Sequence, residues 1–114
     1  MAINSQNKGK NYEREIAHKL SKVFNCDVRR VPCSGALDIK GDLRNLSGVL
    51  ENYVFELKKQ EKMNIWKCLQ QTFRQAGHRV GVLIFSRNHE RDYICMDLND
   101  WIVLVQRAEG VQGE

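Results

Sequence analysis

Proline is almost missing from this chain of 114 residues, where Pro32 stands alone. Cysteine occurs four times, at Cys26, Cys33, Cys68 and Cys95, and never as a Cys-x-x-Cys pair. That scatter argues against a zinc site and against a disulfide framework, and favours buried thiols in a reducing compartment. The histidines His18, His78 and His89 lie far apart without metal-ligand spacing and read as surface or turn residues. No apolar run reaches the roughly 20 residues needed to cross a bilayer. No signal-peptide pattern is present, so a cytoplasmic protein without membrane association is expected. A Gly-rich phosphate loop, a Gly-x-Ser-x-Gly elbow and a His-Glu-x-x-His helix are all absent, so no small-molecule cofactor is indicated. There is no internal repeat, low-complexity tract or linker. One domain over 1–114 is expected, with 1–8 and 107–114 as flexible tails.

What is present is ordinary for a globular protein: 42% hydrophobic and 28% charged residues. Eighteen Lys and Arg against fourteen Asp and Glu give a net charge of +4. A basic balance of this size is compatible with a polyanionic partner and equally with an ordinary soluble protein.

Periodicity places a first helix from Asn11 to Phe24, with Tyr12, Ile16, Ala17, Leu20, Val23 and Phe24 on one stripe. The stripe spans an arc of about 140° on a helical wheel, and Glu13 falls inside it. Arg14, Glu15, His18, Lys19 and Lys22 fall outside. Glu13 therefore needs a partner, a metal or a proton, unless it turns to water as a helix-start acid favoured by the dipole. Val28–Val31 reads as a strand ended by Pro32, followed by a small-residue corner at Cys33-Ser34-Gly35 where backbone can approach a ligand. A second helix is expected over 62–76, with Ile65, Trp66, Leu69, Phe73 and Ala76 inward and Gly77 as its stop. The apolar run Val80–Phe85 fits a central strand buried on both faces. Residues 92–96 read as another strand, and Asn99 as the N-cap of a closing helix to about Gln106. Trp66 and Trp101 are expected in the core.

The chemistry concentrates between Ser34 and Lys58. In Tyr53-Val54-Phe55-Glu56-Leu57-Lys58 side chains alternate between faces, so Glu56 and Lys58 share one face about 6.6–6.8 Å apart. A hairpin turning at 47–52 would set Asp42 opposite Glu56 or one step away, with Cβ atoms roughly 5 Å apart. Asp38 would reach only beyond the strand, so Asp42 is the expected partner and Asp38 the runner-up. Adjacent carboxylates repel unless a cation lies between them, and oxygen donors alone select Mg²⁺ or Mn²⁺ over zinc. The alternative is a pair of solvated acids, one of them matched by Lys58.

Taken in order, Lys8-Gly9, Tyr12-Glu13-Arg14-Glu15, Arg30-Val31-Pro32-Cys33-Ser34-Gly35-Ala36, Lys40-Gly41-Asp42-Leu43 and Phe55-Glu56-Leu57-Lys58 resemble the PD-(D/E)XK nuclease superfamily. Within it, the chain looks most like the archaeal-type Holliday junction resolvases and their phage-encoded relatives. The resemblance runs from residue 8 to about 105. It departs from the proline-aspartate signature, because Gly41 precedes Asp42 and Leu37 precedes Asp38.

The resemblance implies an α/β fold with a restriction-endonuclease-like core: a mixed five-stranded sheet flanked by helices in α-β-β-β-α-β-β-α order. It implies a metal site of Glu13, Asp42 and Glu56 holding Mg²⁺, with Mn²⁺ as a substitute, and Lys58 beside the attacking water or scissile phosphate. Ser34 matches the family's serine near the cleavage point. The implied activity is paired hydrolysis of four-way junction DNA in recombination and repair, by a homodimer, leaving 5′-phosphates. The compartment would be the host cytoplasm for a phage-encoded enzyme. Lys8, Lys10, Arg14, Arg29, Arg30, Arg44, Lys59 and Lys62 are the expected DNA contacts. A nicking, repair or restriction-type duplex nuclease of the same fold is the first alternative. A non-catalytic basic nucleic-acid-binding domain is the second.

Overall fold

In the computed structural model of the protein, the described residues are 5–31, 41–45 and 48–111. Their order is α1 (Ser5–Phe24), β1 (Val28–Arg30), β2 (Leu43–Asn45), β3 (Tyr53–Lys59), α2 (Ile65–Ala76), β4 (Val80–Ser86), β5 (Tyr93–Cys95) and α3 (Leu98–Glu109). The α-β-β-β-α-β-β-α order is the expected one. The five strands do not form one sheet, however. β1 and β2 make an antiparallel pair, while β3, β4 and β5 form a separate sheet with β4 in the middle. In the larger sheet β3 runs parallel to β4, and β5 antiparallel.

The break between the sheets has a local cause. Gly41 turns with φ +88°, and Asp42 donates its backbone N–H to the Phe55 carbonyl at 2.7 Å. The Asp42 carbonyl accepts from Val31 N–H at 2.9 Å, so one residue bridges both sheets. Beyond it, β2 takes up a ladder with β1, and Leu43 buries its side chain in the same core cluster as Phe55 and Leu57. The two arms of the expected hairpin thus meet at Asp42 and do not zip along β3.

The main core lies between α1 and the α1-facing side of the larger sheet. It holds Tyr12, Ile16 and Ala17 of α1 against Phe55, Leu57, Val82 and Ile84. The stripe foreseen on α1 is buried only in its first half, since Val23 and Phe24 are exposed. The helix also starts earlier than Asn11, taking in part of the expected N-terminal arm. On the opposite side α2 packs through Cys68, Thr72 and Ala76, four residues apart. A Cβ at Gly81 would stand 3.1–3.2 Å from Ala76, Phe73 and Thr72, so helix and strand approach closely over small residues.

That approach corrects the sequence expectation for α2. Trp66 turns away from the sheet and is 75% exposed rather than in the core. Trp101 is likewise 50% exposed. The α2 N-cap is Asn64, whose side chain accepts from Lys67 N–H at 3.1 Å. For α3 the cap is Asp97, not Asn99, with its carboxylate accepting from both Asn99 and Asp100 N–H. Gly110 in the left-handed region ends α3, so residues 107–109 of the expected tail are helical. Among the described residues no helix is long and apolar enough to cross a membrane.

β4 is the buried centre of the larger sheet, and Leu83 is fully enclosed. Leu83→Ala is expected to lower stability by about 2–5 kcal/mol, the cost of lost burial plus a cavity. Urea denaturation of the variant against the parent protein measures it; a change under half a kcal/mol, roughly that of a surface site, would contradict this core assignment.

Candidate active site on the β3 edge

Alternation along β3 puts Tyr53, Phe55 and Leu57 on the α1 side, leaving Val54, Glu56 and Lys58 for the other. Glu56 is only 2% exposed, and Lys58 is half-buried. A buried carboxyl without compensation would be costly, and its surroundings show how it is accommodated. Asp42 lies beside it, held by a hydrogen bond from Leu57 N–H to Asp42 Oδ2 at 2.8 Å. The Asp42 carboxylate acts on the Glu56 carboxyl from close by, favouring its protonated form.

The electrostatics follow from that geometry. Burial pushes the Glu56 carboxyl up to about 8, with the charge and hydrogen bond of Asp42 and the charge of Glu13 adding in the same direction. Lys58 opposes them. Glu13 on α1 is raised as well, first by burial and then by Asp42, while Arg30 and Lys58 pull it down. Arg30 Nε donates to Glu13 Oε1 at 2.9 Å with both side chains largely covered. Three acids, a lysine and an arginine from α1, β1, the start of β2 and β3 therefore feel one another's charge.

Glu13, Asp42, Glu56 and Lys58 are thus neighbours in the electrostatic sense, but the acids do not form a preassembled cage. Among the described residues no three His, Cys, Asp or Glu side chains are grouped as a metal ion would need. Glu13 is engaged by Arg30, while the Asp42 carboxylate is held by the Leu57 N–H. As oxygen donors, Asp42 and Glu56 would suit a hard divalent ion, with Glu13 able to join them on leaving Arg30. Ser34 and Asp38 lie outside the described residues.

The expected DNA contacts are dispersed around this centre. Lys8 stands 3.9 Å from Glu61, and Lys59 lies over the Tyr12 ring at 5.5 Å. Arg29 pairs with Asp27 at 3.2 Å, and Arg14 bonds Asn11 at 3.3 Å. Lys10 and Lys62 are exposed, and Arg44 is half-buried. Beside Lys58 opens a polar cavity of ≈220 Å³ lined by Gln60, Asn64, Lys67, Cys68 and Gln71. Gln75, also on α2, accepts from Gly41 N–H at 3.4 Å and so braces the turn before Asp42. Sequence periodicity gave no sign of this brace, nor of Tyr12 donating to Asp92 at 2.8 Å across 80 residues. Both are long-range polar contacts with no repeat to betray them.

Two outcomes test this geometry. A Cβ on Gly41 would fall 2.8 Å from Val54 Cγ1 and 2.9 Å from the Phe55 carbonyl, at a left-handed φ. Gly41→Ala is expected to cost about 1–3 kcal/mol in urea denaturation, and an unchanged midpoint would contradict the turn. The second concerns pH. Because Glu56 is raised from 4.5 to about 8, between those values the folded state keeps a proton that the unfolded state has lost. Stability then falls as pH rises through this window, with its full value below it. Thermal melts in chelator between roughly pH 5 and 9 should show the decline, and Glu56→Gln should flatten it.

Residues 4–112 match the model of the family described as "Phage putative PDDEXK endonuclease". No curated protein and no solved structure matches the chain. With nearly its whole length covered and a Glu-x-Lys strand joined to an aspartate, this chain belongs to that phage PDDEXK endonuclease family.

Proposed function

We propose that the protein is a Mg²⁺-dependent DNA endonuclease that resolves four-way junctions as a homodimer. The observation that carries the nuclease reading is the buried Glu56 carboxyl against Asp42, with Lys58 two residues along the same strand face. A phosphodiester is anionic and repels hydroxide, so its hydrolysis needs positive charge where the transition state gathers negative charge. Asp42 and Glu56 would hold the ion, and Mg²⁺ bound there would supply that charge and an acidified water.

The remaining roles fall to the chain itself. Leu57 N–H fixes the Asp42 carboxylate, which keeps the donor pair in place before substrate arrives. Lys58 would stabilise charge on the phosphate oxygens and orient the attacking water. Arg30 keeps Glu13 poised at the rim, from which it can complete the donor set. Lys67 and Gln71, on the wall of the cavity beside Lys58, would steady the neighbouring phosphate. The junction preference rests on the resemblance to the resolvases and on symmetry: two strands must be cut, and a C₂ dimer presents two sites.

Cleavage of a mobile four-way junction and of linear duplex with the same sequence, with and without Mg²⁺, tests both levels. Junction cutting is expected to require Mg²⁺ and to exceed duplex cutting. Glu56→Gln and Lys58→Met are each expected to lower the rate by roughly 10²–10³-fold while junction binding persists. Preferred cutting of duplex would replace the junction reading with a nicking or restriction-type enzyme. Full activity in Glu56→Gln would remove the nuclease assignment from this site.

A further inference from the structure

α3 is twelve residues long, and none of them is buried. An isolated helix of that length is marginal in water, so packing against something must supply its stability. Leu98, Trp101, Ile102 and Val105 recur at helical spacing and form an apolar seam. Of these, Leu98 is 67%, Trp101 50% and Ile102 38% exposed. Helical amphipathicity on this scale, turned to solvent, marks a missing neighbour.

The same chain also offers a receptor. Between α1, β5 and α3 runs an open apolar groove of ≈420 Å³ whose wall includes Phe24, Val49, Ile94, Met96 and Leu104. Its lining contains no charged residue, which disfavours a polyanion. The groove also takes in Tyr53 and Phe55, on the face of β3 opposite Glu56 and Lys58. Whatever covers it leaves the candidate active site open.

We propose that a second copy of this chain covers this face, the α3 seam of each copy packing on the groove of the other about a two-fold axis. A projecting apolar stripe and an apolar groove on one chain are the two halves that an isologous interface requires. The area agrees. At their exposures, Val23, Phe24, Val49 and Ile94 together with the α3 side chains present roughly 700 Å² per copy, close to the ~800 Å² per partner of a stable interface. The inference deepens the homodimer reading above by assigning its interface; a monomeric parent protein would overturn both, whereas a dimer that survives both substitutions below would overturn only this interface.

Analytical ultracentrifugation of the full chain tests it. The parent protein should sediment at twice its 13.3 kDa mass. Trp101→Lys on the seam and Val49→Lys in the groove should each shift it to a monomer that still unfolds cooperatively in urea, with any loss of far-ultraviolet circular dichroism no larger than the α3 helix would give. A parent protein that stays monomeric up to roughly 100 μM, well above a μM dissociation constant, overturns the proposal. So does a dimer that survives both substitutions in folded protein. Amide hydrogen exchange of the unsubstituted chain gives a reading that no variant can confound: protection of α3 should rise with protein concentration, and concentration-independent exchange overturns the proposal. Flotation of monomer with phosphatidylcholine vesicles would assign the face to lipid instead. Because no readout is cleavage, failure here is distinct from failure of the nuclease reading.

Discussion

The contact on which the candidate site depends is the one between Asp42 and β3. The Asp42 amide is held by the Phe55 carbonyl and its side chain by the Leu57 amide, so backbone and carboxylate are fixed to the same strand. Its own carbonyl reaches back to Val31, which ties the smaller sheet to the larger. A residue restrained on three sides can press a carboxyl against the buried Glu56 without rotating away. Burial and the nearby Asp42 charge both favour the protonated form of Glu56.

The surrounding architecture serves that arrangement. Gly41 supplies the positive φ that lets the chain enter beside Val54 and Phe55, where any side chain would collide. Gln75 reaches from α2 to the Gly41 amide. Close packing of α2 on Gly81 brings the helix near enough for that reach. α1 contributes from the other direction: its apolar stripe sets its rotation, and that rotation aims Glu13 at the site, where Arg30 receives it. The site is thus held by contacts drawn from α1, β1, β3 and α2.

The two faces of β3 differ in character. One carries Glu56 and Lys58 beside a polar cavity with amide and lysine walls. The other carries Tyr53 and Phe55 into the core and an open apolar groove. The two-residue period of a strand makes this separation automatic. The proposed chemistry on one side and the proposed association on the other then need not compete for surface.

Much of this was legible in the sequence. Alternation in Tyr53–Lys58 located Glu56 and Lys58 on one face, and the wheel of α1 singled out Glu13 as its inward acid. Both depend on periods of a single element, which neighbouring residues alone determine. The element order followed from the same local patterns. Tertiary structure decided the rest. Whether β2 zipped along β3 or onto β1 depended on Leu43 finding the core, a contact far away along the chain. The exposure of Trp66 was set by the closeness of Gly81, invisible in the helix's own pattern. Arg30 reads in sequence as a DNA contact, and only packing of β1 beside α1 makes it the partner of Glu13. Periodicity is local and survives in a string of letters; pairing between distant segments is a property of the folded chain alone.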